Sequence, residues 1–365
     1  MEETNSDTPL LIVEENDPAV ILYTSGTTAK PKGVVHTHYS LMHTVINQAT
    51  TLQINSNDIS LVPLPICHIF GFGWLITTIY IGGTVILLPK FEPETFIDGI
   101  NKYHPTLTTL LPAGLDNILN HPTALTCDFS SLKSCFVGGD KVPMRLHRRS
   151  LELAGLEITE GCGMTECCPY TVNPPFGPKR PGSIGTPVYA TSLRLVDNSG
   201  KDVPEDDVGE ILVKSEANMV EYWNNKEETA KALKHGWLYT GDMARVDEDG
   251  YYWFVCRKKE IIIRGGSNIS PLEVEEVFYE HPAVKAVGVI GLPDEHVGQI
   301  VKAYVSLKED ITTSPTETEL RTFVASRIAA YKVPEKIEFL PDLPFNPIGK
   351  VDRNRLKDFW INQGN

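Results

Sequence analysis

The sequence predicts an α/β protein in two domains, on three observations. Strand-like and helix-like segments alternate from residue 18 to 163, short turn-bounded strands without long helices follow Gly182, and the pattern turns α+β beyond Arg257, Lys258, Lys259 and Glu260. Alternation of this kind builds a mostly parallel sheet covered by helices. The expectation is a large N-terminal domain of helix-covered sheet plus a small β-unit, over 1–258, and a small α+β C-terminal domain over 259–365.

In chain order, "AVILYT" reads as a buried strand and "YSLMHTVINQAT" as a helix that follows a loop. "ISLVPLP", "GTVILLP", "TLTTLLP" and "LKSCFVGG" are short apolar runs closed by Pro or Gly, with helical patterns in "ETFIDGINKYH" and "PMRLHRRSLELAG" between them. "GSIGTPV", "TSLRLVD" and "GEILVKS" are strands of the β-unit, and "DEDGYYWFV" carries an Asp-Gly turn into aromatic strand residues. The charges of "CRKKEIIIRGG" form a connector. A helix in "PLEVEEVFYEH", strands in "VKAVGVIG" and "VKAYVSLK" and a helix in "SPTETELRTFVASRIAA" complete the chain. That last helix is expected to open on a capping box from Ser314 to Glu317, with Pro315 at its first position.

Composition narrows the function. The chain has 365 residues and a formal charge of −14, so it lacks the basic surface that nucleic acids require. Its seven cysteines form no CxxC pair and no Cys/His metal spacing, a pattern of reduced thiols. Residues 1–10 are acidic and polar rather than a signal peptide, and a cytoplasmic protein is expected. Residues 59–89 carry no Asp, Glu, Lys or Arg, yet Pro63, Pro65, Gly71, Gly73, Gly82 and Gly83 divide them into strand and helix lengths, and no transmembrane segment is expected.

The stretch "YTSGTTAKPKGVVHTH" is the first with chemistry in it. It lacks the Walker spacing. Thr24, Ser25, Thr27 and Thr28 offer hydroxyls, Gly26 and Gly33 free the backbone, and Lys30 and Lys32 bring charge. Successive N–H groups in such a turn make an anion-binding concavity, while a polar surface turn is the plainer alternative.

This stretch resembles the phosphate loop of the AMP-forming acyl-adenylating superfamily, which includes acyl-CoA synthetases, 4-coumarate–CoA ligases, firefly luciferase and peptide-synthetase adenylation domains. The superfamily's other signatures follow in order: "PICHIFG" (65–71), "VGGDKVP" (137–143), "EGCGMTE" (160–166), "YTGD" (239–242), "RKKEIIIRGGSNISPLEVE" (257–275) and "PIGK" (347–350). Each is weak alone; together, in register over nearly the whole chain, they are specific.

The resemblance implies a two-step reaction. A carboxylate attacks the α-phosphorus of ATP, pyrophosphate leaves, and a thiol then displaces AMP from the acyl-adenylate to give a thioester. It implies ATP, Mg²⁺ and coenzyme A as cofactors and a small carboxylic acid, fatty or aryl, as substrate. By resemblance Glu166 is the Mg²⁺ ligand, and Thr165 bonds the α-phosphate. Asp242 accepts from the ribose hydroxyls with Arg257 beside it, and Lys350 offsets the charge that develops during adenylation. His68 borders the carboxylate, while Gly138, Gly139 and Asp140, with Gly161, Cys162, Gly163 and Met164, line the adenine and acyl pocket. Lys259 is the hinge of a mobile C-terminal domain whose Gly265 and Gly266 let a pantetheine chain approach. From the residues alone, Asp242 also reads as a turn-stabilising acid, His68 as a buried structural histidine, and Arg257 and Lys350 as solvated cations.

Three departures bear on activity. Ala29 stands where the superfamily has Gly; at φ > 0 it would cost ~1–2 kcal/mol, so a weakened or differently bent loop is expected. Cys162 replaces an aromatic residue that stacks on adenine, which weakens ATP binding or opens the acyl pocket. The loop also comes early, so the chain is expected to be N-terminally shortened, with a partner or a second copy covering the missing region. An enzyme that loads a carrier protein, or an impaired homologue that binds nucleotide or partner, are the alternatives to a CoA ligase.

Overall fold

The computed structural model describes residues 12–24, 31–174, 177–309, 311, 313–346 and 350–362. Its centre is a seven-stranded sheet in which Thr84–Leu87, Ile59–Val62, Leu107–Leu110, Ser134–Gly138 and Ile158–Met164 lie side by side in parallel. Cys167–Val172 and Thr186–Pro187 then continue the sheet antiparallel. Successive side chains alternate between the faces. Leu61 and Val137 point into a core with Phe96, Ile97, Ile100 and Ile118. Their neighbours Val62 and Phe136 point into a second core with Phe70 and Trp74. The helices Ile69–Tyr80, Pro93–Tyr103, Pro112–Asn120 and Met144–Ala154 supply these contacts, and the expected helix-covered sheet is present.

The start of the chain differs from the expectation. Pro18–Thr24 is a strand, but Lys32–Thr37 pairs with it antiparallel before the helix His38–Leu52 begins. The run of Gly33 and the β-branched Val34 and Val35 is buried between Pro18–Thr24 and Glu221–Tyr222, which draws it into a strand instead of a loop. Thr37 caps the helix with a capping box to Ser40.

Thr191–Val196, Gly209–Ser215, Trp237–Val246, Leu233–Lys234 and Tyr252–Arg257 form a five-stranded antiparallel sheet, the expected β-unit. A single 3₁₀ turn, Lys258–Glu260, leads to the last sheet, made of Ser267–Ile269, Ile262–Arg264, Gly298–Leu307, Val284–Asp294 and the parallel strand Lys336–Phe339. Its two faces hold separate cores, one around Phe278, Leu320 and Val324 and the other around Tyr304 and Leu356. The helix Glu317–Ala325 begins two residues later than expected: Thr316 is its cap, and Glu319 accepts from both its N–H and its hydroxyl. Both Ser-x-x-Glu and Thr-x-x-Glu satisfy the capping pattern here, and the choice accompanies burial of Leu320 and Val324 in the core.

Candidate functional site

An open cleft of ≈ 2060 Å³ runs between the carboxyl ends of the parallel strands, the β-unit and the C-terminal unit. Open α/β sheets bind ligands at this end of their strands. The strand Ile158–Met164 reaches the cleft, and Thr165 and Glu166 occupy a two-residue turn before Cys167–Val172 returns antiparallel. Both are buried, and Glu166 is held from a distant segment. Met219 N–H donates to its carbonyl oxygen at 2.7 Å, and the Tyr222 hydroxyl donates to its Oε1 at 2.5 Å. Among the described residues no group of three or more His, Cys, Asp or Glu is placed to hold a metal. A lone buried carboxylate suits an ion such as Mg²⁺ that takes most of its oxygens from substrate and water.

Asp242 lies on Trp237–Val246 directly opposite Arg257 on Tyr252–Arg257, so the strand register itself makes the ion pair, Arg257 Nε to Asp242 Oδ1 at 2.9 Å. Arg257 Nη1 also donates to the Thr240 carbonyl at 3.0 Å. On the other side the Tyr170 hydroxyl donates to Asp242 Oδ2 at 2.6 Å. Burial pushes the Asp242 carboxyl above the usual carboxylate range, and the Arg257 charge and the Tyr170 bond oppose that rise.

Lys350 reaches the cleft from the C-terminal unit, and its charge is felt by His68, Cys162 and Asp242. Its main chain is fixed by a reciprocal pair: Lys350 N–H donates to Asn346 Oδ1 at 3.0 Å, and Asn346 N–H donates to the Lys350 carbonyl at 2.8 Å. His68 caps the helix Ile69–Tyr80, its Nδ1 accepting from Phe70 N–H at 3.3 Å. An accepting Nδ1 carries no proton, in keeping with a pKa lowered by burial and by Lys350.

Thr24, Lys32, Gly139, Asp140, Gly161, Cys162, Gly163 and Met164 also line the cleft. Thr24 and Lys32 are paired at the base of the first hairpin, and Lys32 Nζ lies 3.1 Å from Glu228 Oε2 and 4.2 Å from the Tyr222 ring centroid. Ser25, Gly26, Thr27, Thr28, Ala29 and Lys30 lie outside the described residues. So do Pro347, Ile348 and Gly349 before Lys350.

Gly138 is set back from the cleft surface; a Cβ there would meet the Gly161 carbonyl at 3.1 Å. At Gly161 a Cβ would come within 2.5 Å of the Phe136 ring, so this glycine makes room for the aromatic core. Gly265 and Gly266 do not line the cleft. Both have positive φ, +55° and +80°, in the turn that joins Ile262–Arg264 to Ser267–Ile269, and this two-residue turn requires the left-handed region at both positions. Lys259 lies in the connecting 3₁₀ turn, at the edge of the cleft.

Comparison with known proteins places this arrangement. A family model described as AMP-binding enzyme matches residues 2–223, and one described as AMP-binding enzyme C-terminal domain matches residues 273–350.

The chain belongs to the AMP-binding enzyme family.

A long-chain-fatty-acid–CoA ligase of Bacillus subtilis is 40% identical over 347 residues, which cover 94% of this chain and 62% of that protein. A feruloyl-CoA synthase of an Amycolatopsis species is 36% identical over 360 residues, 98% of this chain and 73% of that protein. ATP-bound MatB from Rhodopseudomonas palustris superposes with a TM-score of 0.89 at 30% identity, over 95% of this chain and 69% of that one. The o-succinylbenzoate CoA synthetase MenE of Bacillus subtilis, solved with an acyl-adenylate, gives 0.87 at 32% identity over 95% and 70%.

Three buried side chains of this AMP-binding family member support the cleft without any signal in the sequence. Tyr170 and Tyr222 hold the two carboxylates, and His36 Nε2 meets the Thr165 carbonyl at 2.8 Å. Since a carbonyl only accepts, Nε2 carries the proton and Nδ1 accepts from the Ser40 hydroxyl at 3.2 Å. A tyrosine or histidine in an apolar strand carries no local signal of a partner tens to over a hundred residues away. Among the described residues no helix is long and apolar enough to cross a membrane.

Proposed function

We propose that this chain is an ATP-dependent acid–thiol ligase that forms an acyl-adenylate and passes the acyl group to coenzyme A. The observation that carries the reading is convergence: Glu166, the Asp242–Arg257 pair and Lys350 come from separate segments and meet on one cleft. Relatives named as CoA ligases, and neighbours solved with ATP or an acyl-adenylate, support the same chemistry.

In this reading Asp242 and Arg257 hold the ribose, and Gly139, Asp140 and the strand from Gly161 to Met164 flank the base. Thr24 and Lys32 face the β- and γ-phosphates, and Ser25, Gly26, Thr27 and Thr28, outside the described residues, are read by resemblance as contacts to the same phosphates. Thr165 holds the α-phosphate, and Glu166 would hold a Mg²⁺ that neutralises phosphate charge. The substrate carboxylate oxygen bonds to the α-phosphorus as the bond to pyrophosphate breaks, and the ammonium of Lys350 stabilises the charge that builds on the phosphate oxygens. The thiol sulfur of coenzyme A then bonds to the acyl carbon, and AMP leaves with the bonding electrons. Phe70, Leu111, Phe136 and Cys168 give the cleft an apolar end that fits a fatty or aryl chain, with neutral His68 at its border. The boundary between the units is set at residue 259, and Lys259 is read as the hinge. After rotation, Gly265 and Gly266 would face the pantetheine; their positive φ already accounts for glycine at both positions.

The experiment is ATP–pyrophosphate exchange over a panel of fatty and aryl acids. Exchange with at least one acid is expected, followed by AMP release on adding coenzyme A. No exchange from folded protein overturns the reading, and AMP release with a pantetheinylated carrier in place of coenzyme A reassigns the acceptor.

A further inference from the structure

Asp242 is 1% exposed, yet its carboxylate is shared between two protein donors on opposite sides. Arg257 takes Oδ1 at 2.9 Å and Tyr170 takes Oδ2 at 2.6 Å. The Tyr170 ring is fully buried and does not line the cleft, while its hydroxyl also touches Cys162 Sγ at 3.0 Å. Cys162 and Asp242 both line the cleft, so the phenol sits directly behind two surfaces that a nucleotide would meet. Tyr170 comes from the strand paired with that of Cys162.

A carboxylate has about four lone-pair sites. Arg257 and Tyr170 occupy one on each oxygen, and one on each oxygen remains. Two acceptors fixed on one rigid carboxylate match a vicinal diol, whereas a carboxylate free to rotate would have to be ordered when ligand binds. Tyrosine serves here because its hydroxyl can donate to Oδ2 while remaining an acceptor for the Cys162 thiol. Burial pushes that thiol up to about 12, so it stays protonated and available to donate.

We propose that Tyr170 is a positioning residue for ribose recognition: its hydroxyl locks the Asp242 carboxylate so that its free lone pairs face the nucleotide's 2′- and 3′-hydroxyls. This rests on the reading of the cleft as a nucleotide site. It separates two jobs, with Arg257 supplying charge and Tyr170 supplying orientation. Nothing in it requires Tyr170 to touch the ligand.

The test compares binding of ATP and 2′,3′-dideoxyATP by calorimetry, for the wild type and for Tyr170→Phe. The wild type is expected to prefer ATP, and Tyr170→Phe to narrow that preference about tenfold, mostly by weakening ATP, as loss of a hydrogen bond to a charged acceptor does. Affinity for the dideoxy nucleotide should change little. A second readout is the pH dependence of ATP affinity. Asp242 faces Arg257, Tyr170, Cys162, Lys350 and Glu260. Of these, Tyr170→Phe removes one donor that favours the charged carboxylate, so the acid limb should move to higher pH. Tyr170→Met, which keeps apolar volume without a donor, carries the same expectations should Phe not fold. An unchanged preference, or equal weakening of both nucleotides, overturns the role of Tyr170. Absence of ATP binding in the folded wild type overturns the nucleotide site itself, and with it this inference.

Discussion

His36 shows how a single buried side chain ties the candidate site to stability. It is fully buried, its Nε2 proton is given to the Thr165 carbonyl, and burial lowers its pKa from 6.5 despite that bond. The folded state therefore keeps the ring neutral while the unfolded chain binds a proton as the pH falls below 6.5. The contribution is fully present above 6.5 and is lost at lower pH, at up to about 1.4 kcal/mol per pH unit from one group. His36→Gln, whose amide can still donate to Thr165, should remove that slope. Denaturant unfolding at pH 7.5 and 5.5 checks it; identical pH dependence in both proteins would show that His36 does not titrate on unfolding.

At the scale of elements, caps and turns were legible in type but not always in place. Thr316, not Ser314, caps the helix Glu317–Ala325. Thr316→Ala should therefore destabilise by about 1 kcal/mol, with Ser314→Ala close to neutral; the reverse order in thermal unfolding would restore the earlier cap. Gly265 and Gly266 form a turn with φ of +55° and +80° and open space around each Cα. Alanine there meets no clash, so Gly266→Ala should cost only the left-handed strain, ~1–2 kcal/mol. A larger loss of thioester formation than of adenylation in that variant would add a functional role to the conformational one. The first hairpin is hidden in the sequence because Lys32–Thr37 follows glycine, proline and lysine, which signal a loop, while its burial comes from strands on either side.

At the scale of the molecule, the C-terminal unit is seated against the sheet so that Lys350 faces the cleft. Lys141 Nζ lies 3.4 Å from Glu276 Oε2 and Met144 N–H donates to Glu276 Oε1 at 3.1 Å across the two units, while within the C-terminal unit Arg353 grips the neighbouring Glu275 through both carboxylate oxygens at 2.8 Å. Glu276 sits on the helix Pro271–Tyr279, so one element of the small unit carries both its own core and the contact to the large one. On the proposed function, a lysine delivered this way would serve adenylation alone. Lys350→Ala should abolish pyrophosphate exchange while largely retaining thioester formation from supplied acyl-AMP. Equal loss of both half-reactions in single-turnover assays would remove that role from Lys350.

What the sequence determined by itself is local: the apolar alternation that makes the sheets, the order of the units, and the short motifs that hold Glu166, Asp242, Arg257 and Lys350. These are legible because period, turn chemistry and motif spacing are written in adjacent residues. Only the tertiary structure decided that Asp242 lies opposite Arg257 in strand register, that Tyr170 and His36 support the site from behind while Tyr222 holds Glu166 from the cleft wall, and that Gly138, Gly265 and Gly266 lie off the cleft surface. Those facts depend on contacts between segments up to 129 residues apart. The energy of such contacts comes from burial and hydrogen-bond satisfaction, which no window of neighbouring residues contains.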